Sequence, residues 1–150
     1  MVRGPRPFRI GPGDVQRIEV TMGGRSFVVE RVADGWRLDG TPPSAAGHDA
    51  ITTLADELAR LRAVDAFRAT SFEEFGLDPP RGTIVVTTPR GVQHLALGTL
   101  NAGGSTVYAR RAGHARVLHL GVYFLEVVRR VPETRVPDAE NVRAYWPEIG

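Results

Sequence analysis

Four histidines, three carboxylates around one proline turn and one glycine-rich loop are the places where this 150-residue chain could do chemistry. His48, His94, His114 and His119 are the available imidazole ligands for a metal, but no His-x-x-x-His pair sets two of them on one helix face. Glu73, Glu74 and Asp78 could serve as a carboxylate pair for acid–base work or glycoside cleavage. Local structure claims two of them first, because Glu74 follows Ser71 at capping-box spacing and Asp78 precedes Pro79. The run from Gly98 to Ser105 resembles a phosphate cradle, yet it lacks a P-loop lysine and joins two strand patterns instead of opening a helix. No Gly-x-Ser-x-Gly elbow singles out a nucleophile. The residues therefore predict no catalytic residue, no metal ligand and no cofactor-binding residue, and no cofactor.

Composition narrows the classes further. With 42% hydrophobic and 24% charged residues the chain has the balance of one ordinary soluble domain. The absence of cysteine excludes a disulfide scaffold, a cysteine zinc site, an iron–sulfur cluster and a thiol nucleophile. All 19 basic residues are arginine, and against 17 acids they leave a net charge of only +2. Nucleic-acid binding needs positive charge gathered on one surface. Here only Arg3, Arg6 and Arg9, and Arg129, Arg130 and Arg135, stand close in sequence. Such small groups read as solvated surface, and no nucleic-acid partner is expected.

The elements that would position these residues follow from periodicity. Residues 1–13, with Pro5, Pro7 and Pro12 among three glycines, read as an extended leader or linker, and 14–150 as one domain. Alternation through Ile18, Val20 and Met22, the Gly23-Gly24 turn, a return strand with Phe27 and Val29, and Asp34-Gly35 before Trp36 predict three antiparallel strands. Asp49 then stands as the N-cap of a helix to about Arg62, with Ile51, Leu54, Leu58 and Leu61 on one stripe and Asp56 paired to Arg60 outside. From Ser71 to Pro80 the pattern is a single helical turn ended by a left-handed Gly76, with Leu77 plugging inward. Strands are expected over 83–88, 92–97, 105–110 and 116–120, forming a second sheet or an extension of the first. A short helix over 122–131 carries Tyr123, Val127 and Val131 and is ended by Pro132. Val136, Val142, Tyr145 and Trp146 suggest that part of the last stretch packs as a strand or strap. Trp36, Phe72, Phe75 and Tyr123 read as core aromatics. The fold class is α+β: antiparallel sheet or sheets, one long amphipathic helix packed on a face, and a short C-terminal helix.

Several fragments in order carry a resemblance. Asp14 to Val20, Val29-Glu-Arg31, Gly35-Trp-Arg-Leu38, the proline loop and helix, Gly76-Leu-Asp-Pro-Pro80, Leu95-Ala-Leu-Gly98, and Val107-Tyr-Ala-Arg110 followed by Val117-Leu118 resemble a bacterial domain-of-unknown-function family, number 4340, over about residues 8 to 131. The resemblance implies an extracytoplasmic domain tethered by an N-terminal membrane helix, found beside ABC-type transporter permeases and gliding-motility-like components, with no established catalytic residues. No such helix precedes the Pro7-Phe8 region here, so the leader is expected to be a juxtamembrane linker, and the chain to be cytoplasmic if it is complete. The expected role is a non-enzymatic accessory module with protein partners among membrane transport components. No metal partner is expected, and membrane contact only through an anchor. The alternative is a small-molecule or glycan-binding domain, or a hydrolase, with polar residues on distant loops.

Overall fold

A computed structural model of the chain describes residues 4–134. Strands β1 (Arg17–Met22), β2 (Arg25–Val32) and β3 (Gly35–Leu38) form the expected meander, with Ile18, Val20, Phe27, Val29, Trp36 and Leu38 buried on one face. Helix α1 (Ala45–Arg60) follows, then a short strand β4 (Asp65–Arg68), a 3-10 turn (Glu73–Phe75), and a second meander of β5 (Gly82–Thr88), β6 (Gly91–Leu100), β7 (Thr106–Arg111) and β8 (Arg116–Gly121). Helix α2 (Tyr123–Glu133) closes the described part. The strands make one antiparallel sheet in the order β3-β2-β1-β5-β6-β7-β8-β4. The second meander is thus an extension of the first, joined where β1 pairs with β5, Ile18 opposite Val86 and Val20 opposite Ile84.

Both helices cover the same face. Ile51, Leu54 and Leu58 of α1 and Phe124, Val127, Val128 and Val131 of α2 are buried in one cluster with the apolar rows of β1, β2, β5, β6 and β8. At about 1.5 Å per residue, α1 is long enough to reach from one end of the sheet toward the other. It starts with His48 against Gly35 at the head of β3 and hands over at Val64, whose amide donates to the His119 carbonyl of β8. That crossing puts β4 at the far edge, a strand that periodicity did not reveal because Asp65 to Arg68 is too short to show alternation.

Four local expectations are corrected. The N-cap of α1 is Ser44, whose hydroxyl accepts the Gly47 amide, so Asp49 lies inside the first turns and is exposed. Arg60 bonds Glu57 at 3.3 Å, not Asp56. Pro132 does not end α2: it sits buried in the last turn, where its missing N–H forfeits only one intrahelical bond. The leader is extended but packed. Phe8 is fully buried and Ile10 nearly so, Ala63 donates to the Pro5 carbonyl, and the Arg6 guanidinium donates to the carbonyls of Ile10 and Ala59. Proline and glycine keep this segment out of helix and sheet without preventing its apolar side chains from joining the core. The strap suggested by Val136 to Trp146 lies outside the described residues.

Candidate interaction surface

The face of the sheet opposite the helices holds a second, smaller packing centre. Phe67, Phe75, Tyr108 and His119 close a ring of four aromatic contacts, with centroid distances of 5.2, 5.0, 5.0 and 5.4 Å around the circuit. Tyr108 and His119 are cross-strand partners on β7 and β8, while Phe67 comes from β4 and Phe75 from the 3-10 turn. The Thr106 hydroxyl lies 3.3 Å from Nδ1 of His119, and the Arg110 guanidinium stacks over Phe72 at 3.7 Å. All but the tilted Phe67–His119 contact are edge-to-face, a geometry that suits the ring quadrupoles and is worth about 0.5–1.5 kcal/mol per aromatic pair beyond area burial.

Glycine lets the turn seat there. The Phe75 carbonyl oxygen lies directly over Gly98, where a Cβ would collide with it, and the Thr99 hydroxyl donates to the same oxygen at 3.3 Å. Gly76 ends the turn with φ of 71°, as its position predicts, and Leu77 is 4% exposed. The Asp78–Pro79 peptide bond is cis. The turn has no side-chain cap: its preceding residue is Phe72, so the expected bond from Ser71 is not made.

The other sequence candidates are scattered. His48 lies against Gly35 at the head of β3, His94 is exposed on β6, His114 lies in the β7–β8 turn with its carbonyl accepting from Arg110, and His119 belongs to the aromatic ring. Among the described residues no three His, Cys, Asp or Glu side chains stand where they could share a metal ion. Glu73, Glu74 and Asp78 are exposed. In the glycine-rich run, strand β6 continues to Leu100, and Asn101 already accepts the amides of Ser105 and Thr106 through its side chain and that of Gly104 through its carbonyl. Those amides are spent within the loop.

The aromatic expectation holds for Trp36, which is buried under the stacked Arg31 guanidinium, and for half-buried Phe72 and Phe75. It fails for Tyr123, which is 59% exposed. Phe124, Val128 and Val131 hold the buried stripe of α2, leaving Tyr123 one position off it at the helix start. There it shares a shallow cleft with Val64, 51% exposed, and with Arg60 and Arg62. Gly121 contributes no side chain to this cleft. Sequence reasoning had no signal for this patch, since Val64 and Tyr123 lie 59 positions apart and meet only because β4 pairs with β8.

An antiparallel sheet with two helices on one face and an aromatic clasp on the other, bearing one exposed tyrosine–valine–arginine patch, defines a small α+β domain. The chain belongs to the family described as Domain of unknown function (DUF4340), whose pattern matches residues 36–137. The fragments Asp14 to Val20 and Val29 to Arg31 fall outside that match, which runs further toward the C-terminus than the resemblance read from the sequence. The Gly76–Pro80, Leu95–Gly98 and Val107–Arg110 fragments fall inside it; Gly98 lies against Leu77 and the Phe75 carbonyl, and Tyr108 is one of the four clasp residues. No curated protein and no solved structure matches the chain.

Proposed function

We propose that this domain is a non-enzymatic protein-interaction module that works outside the cytoplasm as an accessory part of a membrane transport or gliding-motility-type assembly. The observation that carries the reading is the patch at the junction of α1, β4 and α2. Tyr123 and Val64 are among the few large apolar side chains left exposed in the described residues, and they share one cleft with two arginines. Tyrosine and arginine are the residue types that concentrate binding energy at protein interfaces. Among the described residues the only carboxylate on the cleft, Glu57, is already bonded to Arg60, and Arg62 reaches the Gly4 carbonyl at 3.4 Å, so the rim is cationic. The fitting partner is a protein segment that presents an apolar anchor beside a carboxylate. Among the described residues no helix is long and apolar enough to cross a membrane. The assignment to a membrane assembly rests on the family resemblance, not on this surface.

Co-recovery with ABC-type permease components from the same genome tests the proposal. The unaltered chain should retain them, the double variant Tyr123→Ala, Val64→Ser should bind about tenfold more weakly or worse, and Val92→Ser, at an exposed valine on β6, should behave like the unaltered chain. Recovery of the unaltered chain at background level, or equal losses in both variants, overturns it.

A further inference from the structure

A second surface, independent of the Tyr123 patch, gathers positive charge from three separate stretches of sequence. The leader is bolted down at Arg9 by a reciprocal pair of bonds: the Arg9 amide donates to Oε1 of Gln93 at 2.9 Å, and Nε2 of Gln93 donates to the Arg9 carbonyl at 3.1 Å. With its backbone held, the exposed Arg9 side chain shares a cleft of about 420 Å³ with Arg6 and with Arg90 of the β5–β6 turn. Arg111, at the end of β7, stands outside the cleft lining but opposite Leu95 of β6, on the same sheet face as Gln93, whose side chain holds the Arg9 backbone. Burial first, and then repulsion by Arg9, hold the Arg111 guanidinium below the ordinary arginine range. It is still a cation at neutral pH.

These charges are left uncompensated. Among the described residues no carboxylate stands within ion-pair distance of Arg9, Arg90 or Arg111. Among the described residues Asp14 is the one acid lining the cleft, against three arginines there and Arg111 on the same sheet face. Thr88 adds a neutral donor. It is 7% exposed, lines the cleft, and its hydroxyl oxygen accepts the Arg90 amide at 3.2 Å, while no described residue accepts its proton. Like charges held together with a buried hydroxyl cost stability unless something anionic joins them.

We propose that Arg9, Arg90 and Arg111, with the Thr88 hydroxyl, form a binding site for a phosphate-type oxyanion, carried either by a soluble phosphate compound or by a phospholipid headgroup. Guanidinium forks match tetrahedral oxyanions, and a hydroxyl with an unclaimed proton completes the donor set. Asp14 sets a preference by repelling a second negative group on its side of the cleft.

Arginine side-chain NMR with inorganic phosphate tests the site in the 150-residue chain. Saturating shifts should appear at the Nε–H groups of Arg9, Arg90 and Arg111. Arg9→Gln or Arg90→Gln should weaken the titration about tenfold, and Arg116→Gln, at an exposed arginine on β8, should leave it unchanged. Shifts spread evenly over all arginines, no saturation, or equal weakening by Arg116→Gln overturn the proposal. Sedimentation with phosphatidylcholine vesicles, with and without phosphatidylglycerol, then separates the sources. Recruitment by phosphatidylglycerol that is lost in the two cleft variants assigns a lipid headgroup, and phosphate saturation without recruitment assigns a soluble ligand.

Discussion

A methyl group at position 98 would collide with the Phe75 carbonyl oxygen, a backbone atom that cannot swing aside as a side chain would. The whole Ser71–Pro80 turn would have to lift to make room, taking Phe75 off Tyr108. Gly98→Ala should therefore cost about 1–3 kcal/mol in urea unfolding, the range of overpacking in a filled core, and should change the near-ultraviolet circular dichroism of Tyr108. Gly103→Ala, where nothing lies within 4 Å of the added carbon, should stay within about 0.5 kcal/mol of the unaltered protein. Equal behaviour of the two would show that the turn is not seated on β6. The same reasoning separates the arginines: Arg6 and Arg31 are consumed by backbone carbonyls, while Arg9 and Arg90 have no described side-chain acceptor.

For the elements, helix α1 shows how a correct stripe can carry a wrong start. Ile51, Leu54 and Leu58 are buried as their spacing demands, but Ser44 and Asp49 are both good N-cap residues, and the choice between them lies outside the stripe. The earlier start buries Gly47, whose missing side chain leaves room for Pro43 and Thr134. Ser44→Ala should lower stability by about 1 kcal/mol, whereas Asp49→Ala should change it by less than about 0.5 kcal/mol. The reverse order in thermal unfolding would place the cap at Asp49 after all. The sheet edges carry local devices of their own. On β4 the Asp65 carboxylate accepts the Ala66 amide, and beside β3 Leu38 and Thr41 exchange backbone bonds. Both edge strands are four residues long, and short, occupied edges resist pairing with other chains.

Across the whole molecule, the leader is the part whose role changes most once the tertiary structure is known. Phe8 is fully buried in the cluster that includes α1, α2 and seven strands, so Phe8→Ala should destabilise the fold by about 3–5 kcal/mol. A loss below about 0.5 kcal/mol, the level of a surface substitution, would return the segment to the status of a linker. Docking the leader is also what brings Arg9 to Arg90 and Arg111, so the proposed oxyanion site exists only in the folded chain.

The amino-acid order by itself determined the α+β class, both meanders, the apolar stripe of α1 and the left-handed Gly76, because each depends on a period of two or about 3.6 residues or on one backbone angle. It also carried the Gly76–Pro80 and Leu95–Gly98 signatures, though not the fact that they touch. Only the tertiary structure decided that the two meanders share one sheet through β1 and β5, that β4 occupies the far edge, that Tyr123 faces outward and that the leader arginines share a cleft with Arg90. Strand order and the convergence of remote side chains are set by burying the most apolar surface across the whole chain at once, and such a global optimum leaves no trace in any short window of sequence.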